Sequence, residues 1–212
     1  DVASLLFPPR CAVCGEPLAR GARTVCTLCR VTAPLTGYWR EADNPVVRRC
    51  WGMVPVCQAS GFLFFVRASG WRRLIHGFKY RGAWRTAREM GAWYGRYLRE
   101  SGLYDDVEVV VPLPLHPFKR CRRGYNQSEY IAEGIAAQLT STNGAAARTL
   151  LACSQRATSS FPVPFSPVIS TRASHGATLS INRRTCSIWG EVPMICSVSA
   201  LCPRRVGRAG GA

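Results

Sequence analysis

Residues 106–138 read DVEVVVPLPLHPFKRCRRGYNQSEYIAEGIAAQ, and this stretch decides the kind of fold the chain adopts. Val107, Val109, Val110 and Val111 form a short β-branched apolar run, which predicts a strand covered on both faces. Pro112 and Pro114 cannot continue an interior ladder, so the strand stops there and the chain leaves it extended. Lys119, Arg120, Arg122 and Arg123 then make a basic loop, and Gly124 permits a tight or left-handed turn. Asn126 has the chemistry of a helix N-cap, with Glu129 three residues on as its capping-box partner. Ile131, Ile135 and Leu139 space the apolar face of the helix that follows. A strand, four cations and the N–H groups of a helix start make an anion site at the carboxyl end of a parallel strand. Phosphate or pyrophosphate is its natural guest; a solvated charge run between two elements is the competing reading.

Upstream, the cysteines carry a second pattern. Cys11-x2-Cys14 and Cys26-x2-Cys29 are two knuckles separated by eleven residues, the spacing that brings four thiolates into the tetrahedron Zn²⁺ prefers. Gly15 and Gly21 supply the turns. Four thiolates around one Zn²⁺ leave a net charge of about −2, which Arg10, Arg20, Arg23 and Arg30 offset locally. Four cysteines complete the tetrahedron without a fifth ligand, so the site reads as closed and structural. A pair of disulfides is the alternative, disfavoured in a reducing compartment. Cys50 and Cys57 lack knuckle spacing and read as buried free thiols. Cys121, inside the basic loop with His116 nearby, reads as an incidental thiol rather than a nucleophile.

At 212 residues, with 47% hydrophobic content, the chain has room for one domain of ordinary size and a small module. Its 28 Lys+Arg stand against 12 Asp+Glu, a net charge of +16 that suits polyanionic company. Only Lys79 and Lys119 are lysines. No apolar run approaches the roughly twenty residues that span a bilayer, and no charged start leads an apolar signal core, so a cytoplasmic location is expected.

Between the two patterns, Gly61-Phe-Leu-Phe-Phe-Val reads as a strand. Trp71, Leu74, Ile75 and Phe78 follow the spacing of an amphipathic helix. Trp84, Ala87, Gly91, Tyr94 and Leu98 space a second helix that closes at Ser101-Gly102. Aromatics interleaved with Arg72, Arg73, Arg81, Arg85 and Arg88 suit base stacking on nucleic acid. Helical spacing favours core packing for them, with the arginines on the wet face.

Taken in order, the four-cysteine ribbon, the segment Phe78-Lys79-Tyr80-Arg81-Gly82 and the stretch VPLPLHPFKRCRRGYNQSEYIAEGIA closely resemble the ComF family of competence proteins. The resemblance covers about residues 5–139. It implies an α/β fold in which a small four-cysteine zinc ribbon (1–36) precedes the N-terminal half of a phosphoribosyltransferase-type, Rossmann-like domain (37–139). It also implies a role in DNA uptake or processing during natural transformation. By position, Cys11, Cys14, Cys26 and Cys29 would hold zinc. Lys119 and Arg120 would lie beside Arg122, Arg123, Gly124, Asn126 and Gln127 in the loop facing the pyrophosphate end of phosphoribosyl pyrophosphate. A non-enzymatic adaptor for single-stranded DNA or competence-machinery proteins is the alternative, and an inactive, frameshifted product a further one.

The family's second signature, an apolar strand ending in two acids and a Thr-Thr-Gly-type loop, is missing. Residues 140–212 hold no aspartate and only Glu191, so Mg²⁺ is expected only with an intact C-terminal half and little or no transfer chemistry from the chain as written. His175-Gly176-Ala177-Thr178 echoes that loop by chance. The tail holds 18 Ser or Thr, against 10 in the preceding 139 residues, and Phe161-Pro-Val-Pro-Phe-Ser-Pro admits no regular helix. Residues 140–212 therefore read as an irregular or disordered tail, and an out-of-frame origin is the preferred reading because Ile188, Trp189, Met194, Ile195 and Cys196 are unlike usual disorder. Without later strands, one edge of the 107–111 strand would stay open and the helix after Asn126 would have little to pack against.

Overall fold

The computed structural model describes residues 9–50, 56–66, 69–139, 147–149, 168–171 and 194–201. Helix α1 (Thr27–Val31) closes the cysteine ribbon, and a 3-10 turn over Tyr38–Arg40 leads to α2 (Pro45–Cys50). Then come β1 (Val56–Phe64), α3 (Gly70–Tyr80), α4 (Trp84–Glu100), β2 (Val107–Val111), α5 (Pro117–Arg123) and α6 (Gln127–Ala136). Three further strands are β3 (Arg148–Thr149), β4 (Val168–Thr171) and β5 (Met194–Leu201). None of these helices is long and apolar enough to cross a membrane.

The two central helices form where the spacing of apolar residues predicts them. Trp71, Leu74, Ile75 and Phe78 bury one face of α3. Ala87, Met90, Trp93, Tyr94 and Leu98 do the same for α4, which ends just before Gly102 in the left-handed region at φ 68°. Core packing thus claims most of the aromatics: Phe62 lies between Trp93 and Tyr94, at ring separations of 5.1 and 4.8 Å. β1 starts five residues earlier than the expected strand and runs straight through Gly61.

The sheet order is β1-β5-β4-β2-β3. β1 is antiparallel to β5 and β2 antiparallel to β4, whereas β4–β5 and β2–β3 are parallel, so the sheet is mixed. β2 is buried as its valines require and stops at Pro112. Its expected open edge is not there, because β3 and β4 pair with its two sides. Three stretches of the C-terminal part are strands where an irregular tail was expected; Phe161–Pro167 and His175–Thr178 lie outside the described residues.

The helix after Asn126 is also better supported than its sequence suggests. α6 packs along α4 through glycines on both helices. A Cβ on Gly134 would lie 2.1 Å from the Arg88 carbonyl oxygen, and one on Gly91 would lie 2.2 Å from that of Ile131. Side chains are absent where the backbones meet, so Ile131 and Ile135 reach the core fully buried. That core is continuous: Cys11, Val13 and Cys29 of the ribbon share it with Trp71, Trp93 and Val110.

Two cysteines part company. Cys50 is a buried free thiol, as expected, but Cys57 is disulfide-bonded. The expectation for Cys57 is corrected by a pairing that sequence spacing cannot supply.

Candidate metal centre and basic turn

The ribbon is a tight hairpin followed by a helical knuckle. Cys11 N–H donates to the Glu16 carbonyl (2.8 Å), Gly15 N–H to that of Cys11 (2.9 Å), and Leu18 N–H to that of Pro9 (2.8 Å). Gly15 and Gly21 take φ of 88° and 91°, so both turns need the conformation that glycine adopts at least cost. Cys26 caps α1, its sulfur accepting from Cys29 N–H at 3.5 Å.

This backbone brings the Sγ atoms of Cys11, Cys14, Cys26 and Cys29 within 4.8 Å of one another, close enough to hold one metal ion. For metal–thiolate bonds of about 2.3 Å, a tetrahedron has edges of about 3.8 Å. The Cys14–Cys26 sulfur separation of 3.7 Å matches that edge. Burial pushes the Cys11 thiol up, but the backbone N–H groups of Cys14, Cys26 and Val13 outweigh it and bring the thiol from 9.0 down to about 6. Burial, followed by the crowding of Cys26, Cys14 and Cys11, pushes Cys29 the other way. Four sulfurs this close cannot all ionise unaided, and a bound cation removes the conflict. Arg10, Arg20, Arg23 and Arg30 are all exposed around the ribbon, and Arg10 donates to the Gly15 carbonyl at 3.3 Å.

The basic stretch is arranged differently from the expected loop. Residues 117–123 form α5, begun by Pro117 at its first turn and by His116, whose Nδ1 accepts from Phe118 N–H at 3.3 Å. Gly124 ends it in the left-handed region at φ 78°. These are ordinary start and stop signals. No residue of α5 is buried, so nothing in its apolar pattern announces a helix.

Asn126 caps α6 as expected, its Oδ1 accepting from Ser128 N–H at 3.2 Å. Its Nδ2 donates to the Leu113 carbonyl at 2.9 Å, tying the helix start to the segment leaving β2. Glu129 meets the side chain of Asn126 at 3.3 Å, in place of its backbone N–H as a capping box would have it. Arg120 lies 3.6 Å from Glu129. The start of α6 is thus served by the chain's own side chains, and the cations gather on α5 beside it. Lys119, Arg120, Cys121 and Arg122 are exposed, Gly124 too, while Asn126 and Gln127 are buried.

Arg123 is half-buried and turns inward. It donates to Gln127 Oε1 at 3.1 Å, and its guanidinium sits 5.4 Å from the centre of the Tyr80 ring. Next to it, the Tyr125 hydroxyl donates to the Phe78 carbonyl. Burial pushes that phenol's pKa up. Residues 78–82 and 123–127 therefore meet in space. A further tie that carries no signal in the sequence is a Thr24–Glu89 hydrogen bond joining ribbon to α4, since only the docked ribbon brings the two residues together. Comparison with protein-family models, curated proteins and solved structures finds no match for this chain.

Proposed function

We propose that this chain is a ComF-type, phosphoribosyltransferase-like protein. In this reading its four cysteines carry one structural zinc ion, and its α5–α6 turn holds a phosphate or pyrophosphate group. One observation carries the proposal: FKYRG and RGYNQ, the two segments on which the resemblance rests, interlock across a sequence separation of 47 residues through Tyr125 and Phe78. Arg123 adds its contact with Tyr80.

Such a junction supports oxyanion binding for chemical reasons. A guanidinium offers a planar fork of donors that matches phosphate oxygens in pairs, and Arg123 is oriented by Gln127 instead of being free to wander. Lys119 and Arg122, exposed on α5, add charge without a desolvation penalty. Phosphoribosyl pyrophosphate is the ligand the resemblance implies, and the Rossmann-like reading of the mixed sheet belongs to the same proposal. Ligand binding is the function proposed, without transfer chemistry, since residues 140–212 contain a single acid, Glu191.

Calorimetric titration of the full chain with phosphoribosyl pyrophosphate and with inorganic pyrophosphate tests this. The Arg122→Ala, Arg123→Ala double variant should weaken both by about a hundredfold, two charge-assisted contacts of about 1.5 kcal/mol each. Unchanged affinity in a variant that melts normally would mean that the turn is ordinary surface.

A further inference from the structure

A cleft of about 930 Å³ separates the ribbon from the outer face of α4, and a second of about 400 Å³ continues it towards α6, the two sharing Arg23 and Glu89. Arg20, Arg23, Arg30 and Arg96 rim the larger cleft, with Met90 and Trp93 in its wall. Against these four guanidinium groups stand Glu89 and Glu100. Glu89 is already held by Thr24, and burial pushes its carboxyl's pKa up against the opposing pull of Arg23 and Arg30. Among the described residues neither Arg20 nor Arg96 is in an ion pair. No residue of this cleft belongs to the α5–α6 turn.

We propose that this cleft docks an extended, acidic segment of a partner protein that alternates carboxylates with aliphatic side chains. The charge excess calls for an anionic guest, and two observations favour polypeptide over a nucleic-acid strand. First, the aromatic faces that a strand would stack on are taken. Trp93 is 5% exposed with the Arg30 guanidinium 4.9 Å from its ring centre, and Arg85 lies 5.1 Å from that of Trp84. Second, α1, which contributes Thr27 and Arg30 to the cleft, presents Leu28 and Val31 on its adjoining face at 72% and 78% exposure. Aliphatic side chains this open beside a guanidinium rim suit a protein partner and serve no purpose for a phosphate backbone. Carboxylates would pair with Arg20 and Arg96, and the apolar residues between them would cover Leu28 and Val31. α4 spans about 25 Å, the reach of about eight extended residues.

The test uses the full, zinc-loaded chain and a labelled eight-residue peptide of alternating Glu and Leu, followed by fluorescence anisotropy at low and high salt. A lysine–leucine peptide and a twelve-nucleotide oligothymidylate serve as the other arms. The acidic peptide should bind, more weakly in high salt, and the Arg20→Glu, Arg96→Glu double variant should weaken it about tenfold or more. Leu28→Ser, a change at an exposed position, should weaken it by about threefold with melting and zinc content unchanged. Absence of binding at millimolar peptide, indifference to both variants, or displacement of the peptide by the oligonucleotide would each overturn the proposal. Retained pyrophosphate binding in the same variants separates this result from the fate of the α5–α6 reading.

Discussion

Replacing Gly134 and Gly77 by alanine, one at a time, should move stability in opposite directions. Both are helical, so each substitution gains about 0.8–1.0 kcal/mol of helix propensity. At Gly77 nothing opposes that gain, since the nearest atom to a new Cβ is that of Ala83 at 3.9 Å. At Gly134 the new Cβ would sit 2.1 Å from the Arg88 carbonyl oxygen and 2.7 Å from the Ala92 nitrogen. Both are backbone atoms of the partner helix and cannot swing aside. Ordinary contact begins at 3.4 Å, so α6 must move off α4 by about 1.3 Å. A gap of even 1 Å forfeits up to about half of the dispersion energy of the atoms facing it. Those atoms include Ile131, Ile135 and Ala87, all fully buried. Overpacking of this kind costs about 1–3 kcal/mol, and two backbone clashes place it at or above the upper end. Net of propensity, Gly134→Ala should destabilise by about 2 kcal/mol, lowering the melting temperature by about 4–8 °C, while Gly77→Ala raises it by about 2–4 °C. Urea unfolding and thermal melts followed by circular dichroism measure both. Two changes of the same sign would refute the reasoning; a stabilised Gly134→Ala would mean the helices do not cross at the glycines.

Two further perturbations probe other parts of the fold. The purified chain should carry about one zinc ion by elemental analysis, and a strong chelator should lower its melting temperature by about 10 °C, since Cys11, Val13 and Cys29 belong to the main core. A chelator without effect on the melt would separate ribbon from core. At high pH the buried trio of Ser60, Tyr94 and Tyr104 becomes a liability: Ser60 Oγ lies 2.6 Å from the Tyr94 hydroxyl and 2.8 Å from that of Tyr104. Burial pushes the Tyr104 phenol well above its ordinary value, although the Ser60 hydrogen bond opposes this. The folded state thus keeps a proton that the unfolded state releases above about pH 10, and stability should fall as pH rises beyond that point. Tyrosinate absorbance for this residue should appear together with unfolding; ionisation while the far-ultraviolet spectrum stays native would contradict the burial argument.

What was legible in the sequence is what local chemistry determines. The valine run of β2, the apolar faces of α3 and α4 and the four cysteines each carry their signal within about twenty residues. α5 was not legible as a helix because periodicity reports a buried face and α5 has none; Pro117 and Gly124 were its signals. The α4–α6 crossing was missed for a different reason. A glycine in a helix reads as a weakness until the carbonyl of a second helix is known to lie against it, and neither Gly91 nor Gly134 names its partner. The same holds for β3, β4 and β5, whose pairing with β1 and β2 is non-local.

These non-local contacts also link the two candidate sites, and α3 is the connection. At its first residue, Gly70, a Cβ would sit 2.4 Å from the Val13 carbonyl oxygen, so the ribbon presses on the start of the helix. Eight residues on, about 12 Å along the axis, Phe78 accepts the hydrogen bond from Tyr125, and Tyr80 lies under Arg123. Trp71, Leu74, Ile75 and Phe78 are all buried, which leaves α3 little freedom to bend between those ends. The four-cysteine cluster holds Val13 between Cys11 and Cys14, Val13 sets where α3 begins, and α3 sets where the aromatic platform beneath Arg123 lies. A ribbon that looks like a separate module in the sequence is, by this chain of contacts, part of the support for the basic turn.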